Sequence, residues 1–203
     1  MAVVTGIQEN RGLVEIALDG VTAARVRRVH YEKCPVALGA ELDIDEYLDR
    51  VAAAQFSDGY EAALTSLDFC ARSALEIGKA LRRKGYVEPC VQAVVERLRE
   101  NGLIDDARYA QRMAEVQSNR PVGVYAFRRK LRAKGISDDD AEEALSAFDD
   151  EQQRDAALAA ARQLYRKYQD LPEREARAKL SQALARRGFG WDAIEGAIDS
   201  IMD

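Results

Sequence analysis

The chain has 203 residues, of which 47% are hydrophobic and 32% are charged, and its formal net charge is −5. This composition is sufficient for one or two ordinary domains or a small array of repeats, and it argues against a globally basic nucleic-acid coat protein. No apolar run is long enough to span a bilayer, and the N-terminus lacks the basic start and apolar core of a signal peptide. We therefore expect a cytoplasmic protein without a membrane segment.

The three cysteines are Cys34, Cys70 and Cys90. Their odd number and wide spacing match neither a disulfide framework nor a metal-binding pattern. We expect them to be small buried hydrophobic residues in a reducing compartment.

The N-terminal part is predicted to contain β-strands. In "GLVEIALDG" (residues 12–20) Val14, Ile16 and Leu18 alternate along one face, and Asp19-Gly20 is a strong hairpin signal. The neighbouring stretches "VVTGI" and "VTAARV" are plausible partner strands. A helix follows, capped by an aspartate in "DIDEY", and Ser-Asp-Gly at 57–59 predicts a break. Residues 1–58 are thus predicted to form a small β-hairpin unit plus a helix.

From residue 60 onward the apolar residues follow the helix period, and one pattern occurs three times around Gly85, Gly135 and Gly188. Each glycine follows a basic helix end and precedes a new helix with an apolar stripe at i, i+3, i+4 and i+7. The stripes are Val91, Val94, Val95 and Leu98; Ala141, Ala144, Leu145 and Phe148; and Ile194, Ala197, Ile198 and Ile201.

Each recurring glycine suits the left-handed position just past a helix end, where basic residues also complement the helix dipole. The apolar residue that follows it (Tyr86, Ile136 or Phe189) is expected to pack across the turn. Capping boxes are predicted at 73–76 and 137–140, and the pair at 170 and 173 is expected to begin another helix.

A further helix precedes each pair, at about 61–71, 107–117 and 152–168. We therefore predict a mainly α protein of tandem three-helix repeats in three copies (59–103, 104–150 and 151–203), forming an elongated curved array behind the N-terminal β unit. The alternative is one compact helical bundle, in which the similarity of the copies is coincidental.

The basic residues before each glycine are the candidate functional residues. They are Lys79, Arg82, Arg83 and Lys84 in the first copy, Arg128, Arg129, Lys130, Arg132 and Lys134 in the second, and Arg186 and Arg187 in the third. A cation at a helix C-terminus gains about 0.3–1 kcal/mol from the dipole, which accounts for one or two per helix. The second copy has five basic residues within seven positions, which is more than the helix dipole accounts for. The excess indicates an external anion, either phosphate or an acidic protein surface.

Catalytic and metal-binding patterns are not evident. His30 is the single histidine and has no His or Cys at ligand spacing, and the phosphate-binding pattern GxxxxGK[ST] does not occur. The carboxylates at 138–140 fit helix capping better than metal binding. Trp191 is expected to be a packing residue, and no aromatic platform for base stacking is evident. We expect no catalytic residue, no metal and no cofactor.

The stretches "ALEIGKALRRKGY", "LIDDARYAQRMAE", "GVYAFRRKLRAKGIS" and "ALARRGFGWDAI" resemble the motifs of the RecX family of recombination regulators. The N-terminal "LDG" and "LGAEL" are also similar to that family. The resemblance covers essentially the whole chain, and its specificity comes from the order and spacing of the motifs.

This resemblance implies tandem three-helix repeats in a crescent that binds the RecA recombinase filament in its groove, near single-stranded DNA. It implies a non-enzymatic modulator, expected to be a monomer, that inhibits ATP hydrolysis and strand exchange. The filament-facing basic positions of the family match Arg82, Arg83 and Lys84 in the first copy, Arg128, Arg129, Arg132 and Lys134 in the second, and Arg186 and Arg187 in the third. The chain departs from the pattern at Ala133 and Ala185, and in residues 117–123 only Arg120 is basic. Arg120 is a further candidate for filament or DNA binding.

Two alternatives remain at this stage. The chain could be an autonomous helical-repeat protein that binds single-stranded DNA, although its acidic balance weighs against that. It could also be a helical adaptor for another protein.

Overall fold

The computed structural model describes residues 1–118, 121–146 and 148–202. Within these ranges the fold is mainly helical, with a four-stranded sheet at the N-terminus. The chain divides into two compact units, Met1–Asp105 and Asp106–Asp203. None of the described helices is long and apolar enough to cross a membrane.

The sheet of the first unit contains β1 (Ala2–Asn10), β2 (Leu13–Leu18), β3 (Val21–Arg27) and the short β4 (Glu41–Leu42). The strands are antiparallel in the order β3-β2-β1-β4. Asp19 and Gly20 both have positive φ (49° and 86°), as a two-residue hairpin turn requires. Val14, Ile16 and Leu18 share the buried face, which confirms the predicted alternation.

The helices of the first unit are the short α1 (Arg28–Tyr31), α2 (Ile44–Phe69), α3 (Ala74–Arg83) and α4 (Glu88–Glu100). The Asp43 side chain accepts hydrogen bonds from two backbone N–H groups at the start of α2. Ser73 and Glu76 form the predicted capping box of α3. One hydrophobic core includes the buried sheet face, α2, α3 and α4.

The predicted break at 57–59 is wrong, because α2 continues through these residues to Phe69. A side chain at Gly59 would come within 3.3 Å of Cys90 Sγ and 3.4 Å of the Tyr86 ring. Gly59 is therefore placed for close packing inside a helix, not for ending one. The division of the chain into 1–58, 59–103, 104–150 and 151–203 stays a prediction.

The second unit contains two helix triplets. The first is α5 (Asp106–Ser118), α6 (Val124–Ala133) and α7 (Asp138–Leu145), and the second is α8 (Asp150–Tyr165), α9 (Glu173–Arg186) and α10 (Trp191–Met202). Each triplet has its own cluster of buried residues. Phe127 and Leu131 anchor the first cluster, and Leu180 and Leu184 anchor the second.

Two helix starts in this unit test the capping predictions. Ser137 accepts a hydrogen bond from the backbone N–H of Asp140 at the start of α7, which confirms the predicted N-cap. The capping box itself is incomplete, because the Asp140 carboxylate accepts from the Ser137 hydroxyl and not from its backbone N–H. The predicted start of α9 with a capping aspartate at position 170 is wrong: α9 begins after Pro172 with no side-chain cap. Proline suits the first positions of a helix because its missing N–H would have no partner there.

Candidate functional site

The candidate site consists of three segments that end α3, α6 and α9, which we call the first, second and third basic turns (residues 79–85, 128–135 and 186–188). Gly85, Gly135 and Gly188 have φ of +83°, +77° and +84°. In each turn the glycine N–H donates to the carbonyl three residues earlier at 2.9 Å. This left-handed helix ending is the one predicted, and it is the same in all three copies.

The residue after each glycine closes the turn. The backbone N–H groups of Tyr86, Ile136 and Phe189 donate to carbonyls five residues earlier, at 3.2 to 3.3 Å. All three side chains are buried, as predicted. The local sequence thus produces one rigid corner three times.

The first two turns share an ion pair that spans the glycine. Arg82 contacts Glu88 through Nε and Nη2, at 2.7 and 2.6 Å. Arg132 Nε contacts Asp138 Oδ1 at 2.8 Å. In both cases the arginine lies three residues before the glycine and the carboxylate three residues after it. The hydrogen bond from Arg82 holds the pKa of Glu88 below its ordinary value.

Two more cations of the second turn have partners within the protein. Arg128 Nη2 contacts Glu142 Oε2 at 2.6 Å, which ties α6 to α7. The ammonium of Lys134 lies 5.4 Å from the centre of the Tyr109 ring, a cation–π distance. These residues, together with Arg82 and Arg132, connect helices within the repeats, a role that the sequence did not indicate.

The remaining predicted cations within the described ranges have no ion pair. These are Lys79, Arg83, Lys84, Arg129, Lys130, Arg186 and Arg187. All except the half-buried Arg187 are exposed. Arg120 lies outside the described residues. The exposed cations are the part of the candidate site that is available to an external anion.

In the second unit the structure keeps the two basic turns apart. The backbone N–H groups of Gly123 and Tyr125 donate to the carbonyls of Arg187 and Gly188, both at 3.0 Å. The third turn therefore packs against the start of α6, whereas the second turn lies at its end. With 1.5 Å of rise per residue, ten helical residues separate the two turns by about 15 Å.

Glutamines from other helices stabilise two helix starts that have no side-chain cap of their own. Gln55 Oε1 on α2 accepts from the N–H of Val87 at 2.8 Å, and Gln153 Oε1 on α8 accepts from the N–H of Val124 at 3.0 Å. Sequence reasoning missed both residues. The only hint at Gln55 is a single polar residue in the apolar stretch "VAAAQF".

A partly buried polar cluster lies next to the first turn. His30 is fully buried, and its Nε2 contacts Asp58 Oδ2 at 2.8 Å, while its Nδ1 lies 3.5 Å from Gln55 Nε2. The hydrogen bond from His30 lowers the pKa of Asp58. Arg27 Nη1 donates to the Tyr86 hydroxyl at 3.2 Å. The cluster joins the sheet, α2 and the first turn.

Among the described residues, no group of three or more His, Cys, Asp or Glu side chains could hold a metal ion. The expectation of three buried cysteines holds for Cys90 but is wrong for Cys70, which is exposed just after α2, and Cys34 is half-buried. Burial raises the pKa of Cys90 to about 11, so its reactive thiolate is scarce at neutral pH. The burial and raised pKa of Cys90 do not indicate a catalytic thiol.

Three protein-family models match the chain. They are the first, second and third three-helix domains of RecX, matched at residues 60–98, 105–145 and 150–198. These ranges contain the three basic turns.

The chain is also similar to curated proteins that are named regulatory protein RecX. That of Limosilactobacillus reuteri (strain DSM 20016) is 31% identical over 196 residues, covering 96% of this chain and 74% of the relative. That of Bacillus subtilis (strain 168) is 30% identical over 197 residues, with the same coverage.

Two solved structures are also similar. A crystal structure of regulatory protein RecX superimposes with a TM-score of 0.69 at 31% identity, covering 98% of this chain and 100% of that one. The crystal structure of RecX from Lactobacillus salivarius gives a TM-score of 0.65 at 29% identity, covering 73% of this chain and 97% of that one.

Proposed function

Because the chain belongs to the RecX family of regulatory proteins, we propose that it binds RecA recombinase filaments on DNA and inhibits their ATP hydrolysis, strand exchange and recombination. In this proposal it acts in the cytoplasm as a monomer, without catalytic residues or a cofactor. Its partners are the recombinase and the single-stranded DNA in or near the filament.

The observation that carries the proposal is the set of exposed cations without an ion pair in the three basic turns. Each turn holds these cations on a corner with the same backbone geometry, so little backbone freedom is lost on binding. A filament repeats its subunits, and several weak contacts made by one body add through effective concentration. Phosphates and carboxylates are both suitable partners for these side chains.

We propose contacts only through the predicted cations that have no partner within the described part of the protein. Arg82, Arg128, Arg132 and Lys134 have partners within the protein. Reversing their charge would disturb the fold together with any binding. The proposed contacts are therefore assigned to Lys79, Arg83, Lys84, Arg129, Lys130, Arg186 and Arg187.

The test is ATP hydrolysis by the cognate recombinase on single-stranded DNA, measured against the concentration of this protein. The variant Arg129→Glu/Lys130→Glu changes two neighbouring exposed residues of the second turn. We expect it to require an about tenfold higher concentration for half-maximal inhibition, because 1.4 kcal/mol of lost contact energy is a factor of ten.

The matched control is Arg166→Glu/Lys167→Glu, which reverses two neighbouring exposed cations outside the basic turns. It alters the net charge equally and should leave the inhibition unchanged. If the unaltered protein does not affect hydrolysis when it is present in excess over the filament, the proposal is wrong.

The same exposed cations support a second candidate, an autonomous single-stranded DNA-binding protein. It predicts tight binding to an oligo(dT) strand without recombinase, with log K falling by about 0.7 per phosphate contact for each tenfold rise in salt. The net charge of −5 opposes this binding at long range. Tight binding that disappears in Arg129→Glu/Lys130→Glu would favour this candidate.

A further inference from the structure

A recess in the second unit lies beside the third basic turn. It has a volume of about 340 Å³ and is lined by Val124, Tyr125, Asp150, Gln153, Arg154, Gly190, Trp191, Asp192 and Ala193. The start of α6, the start of α10 and the first turns of α8 surround it. Its size is near the lower end of ligand pockets, which suits one side chain and not a helix.

Two exposed aromatic side chains line this recess. Trp191 is 68% exposed and Tyr125 is 53% exposed. The expectation that Trp191 is a packing residue is therefore wrong. A side chain at Gly190 would reach 3.5 Å from Tyr125 Cε2, so the glycine leaves space next to the ring. Exposed Trp and Tyr are typical of binding surfaces.

The position of Trp191 is distinctive when the three turns are compared. It lies three residues after Gly188, where the first two turns have Glu88 and Asp138. Three residues before the glycine, Ala185 takes the place of the paired arginine. The third turn has therefore lost the internal ion pair and gained an exposed indole at the same point.

The charges of the recess favour a cation as its occupant. Asp150 and Asp192 have no ion pair or hydrogen-bond partner for their carboxylates within the described residues. Arg154 supplies one positive charge, so the lining has one carboxylate in excess. Both carboxylates would repel a phosphate placed beside them.

We infer that this recess binds an arginine side chain of a protein partner. A guanidinium stacks on an aromatic face and also donates two parallel hydrogen bonds to a carboxylate. The lining offers groups for both kinds of contact, the rings of Tyr125 and Trp191 and the carboxylates of Asp150 and Asp192. The inference rests on the proposed function only in naming the recombinase as the protein that supplies this arginine.

Trp191 is the single tryptophan of the chain, so its fluorescence reports on the recess directly. The probe is acetyl-Gly-Arg-Gly-amide, and its matched control contains citrulline, which has the same shape without the charge. We expect saturable quenching by the arginine peptide, with a midpoint about tenfold lower than for the citrulline peptide.

A variant links the effect to a carboxylate of the recess. Asp192→Asn should raise the midpoint for the arginine peptide by about threefold or more and leave that for the citrulline peptide unchanged. Glu195→Gln removes an exposed carboxylate of the same helix that does not line the recess, and it should change neither midpoint. Equal responses to the two peptides, or a response to oligo(dT) in place of the arginine peptide, would overturn the inference.

The hydrolysis assay separates this inference from the proposed function. Trp191→Leu, with unchanged circular dichroism, should weaken inhibition of the recombinase several-fold. If Trp191→Leu inhibits as well as the unaltered protein, the recombinase does not use the recess. If the unaltered protein does not inhibit, the proposed function fails, and the peptide titration alone decides whether the recess binds arginine.

Discussion

The first and third basic turns end their helices with the same hydrogen bonds, but they are attached to their surroundings in different ways. The first turn contacts side chains: Leu13 and Arg27 lie against Gly85, and Gln55 bonds the helix start that follows. The third turn contacts backbone, because Gly188 lies directly on the start of α6. A local motif can thus stay constant while its neighbours impose different constraints.

The charges of the two turns differ in the same way. Arg82 in the first turn is held by Glu88, whereas the third turn has Ala185 and Trp191 at the corresponding positions. The ion pair is therefore not required for the left-handed ending, which all three turns adopt. Glycine and the buried residue after it are common to all three corners, whereas the positions three residues before and after the glycine differ.

The largest expected effect comes from adding a methyl group at the third turn. Gly188→Ala forces a positive φ on alanine and presses Cβ onto the backbone of Ala126, so we expect a loss of about 3–5 kcal/mol in the free energy of unfolding. Gly102→Ala is the matched control, since Gly102 has φ of +65° and open space around it. It should cost about 1–2 kcal/mol.

Urea unfolding followed by circular dichroism gives both values. Gly85→Ala extends the comparison, because its Cβ would meet side-chain atoms of Leu13 and Arg27, which can move. We expect an intermediate loss. Equal losses for Gly188→Ala and Gly102→Ala would show that the backbone contact of the third turn is not tight.

The next effect tests the glutamine that stabilises the helix start after the first turn. Gln55→Leu leaves the buried N–H of Val87 without its partner, which should cost about 2 kcal/mol in the free energy of unfolding. Gln153→Leu makes the corresponding change beside the third turn. Gln153 is half-buried, so water can replace it, and the loss should be about 1 kcal/mol or less.

A smaller effect concerns the ion pair of the first turn. Glu88→Gln should lower the free energy of unfolding by about 0.5 kcal/mol at neutral pH, since both side chains of the pair are nearly half exposed. The pKa of Glu88 is lowered from its ordinary 4.5, so the contribution is present above that pH and is lost as the pH falls below it.

The measurement is the difference in unfolding free energy between the unaltered protein and Glu88→Gln over this acidic range. The difference should shrink as the pH falls through the lowered pKa. A difference that is independent of pH would mean that the charge of Glu88 does not stabilise the turn.

The last prediction uses cysteine reactivity to report on the first turn. Cys90 lies on α4, the helix that follows this turn, and is buried with a pKa raised to about 11, whereas Cys70 is exposed. With a thiol-specific disulfide reagent at mildly alkaline pH, Cys70 should react at once and Cys90 only through opening of the unit. Gln55→Leu should accelerate the reaction of Cys90 with the reagent, and Gln153→Leu should leave this rate unchanged.

Much of the secondary structure follows from the local sequence. The alternation at Val14, Ile16 and Leu18, the hairpin at Asp19-Gly20 and the capping box from Ser73 to Glu76 are all confirmed. Each of them depends on residues within a few positions of one another, so the information is present in a short window.

The wrong predictions have different physical causes. Gly59 looked like a helix break, yet Cys90 and Tyr86 from a distant part of the chain pack against it within α2. Trp191 looked like a core residue, yet the apolar stripe of α10 starts at Ile194 and leaves the indole outside. At Gly59 contacts between distant segments overrode the local preference, whereas the exposure of Trp191 follows from where the buried stripe of its own helix begins.

The sequence by itself determined the three helix-ending corners, because a glycine, a basic turn and a buried apolar residue act over fewer than ten positions. Only the tertiary structure decided which cations have internal partners and which are exposed. Pairs such as Arg128 with Glu142 depend on the packing of one helix on another. The sequence shows which residues are charged. Folding sets the distances between them, and these distances decide whether each charge is paired or exposed.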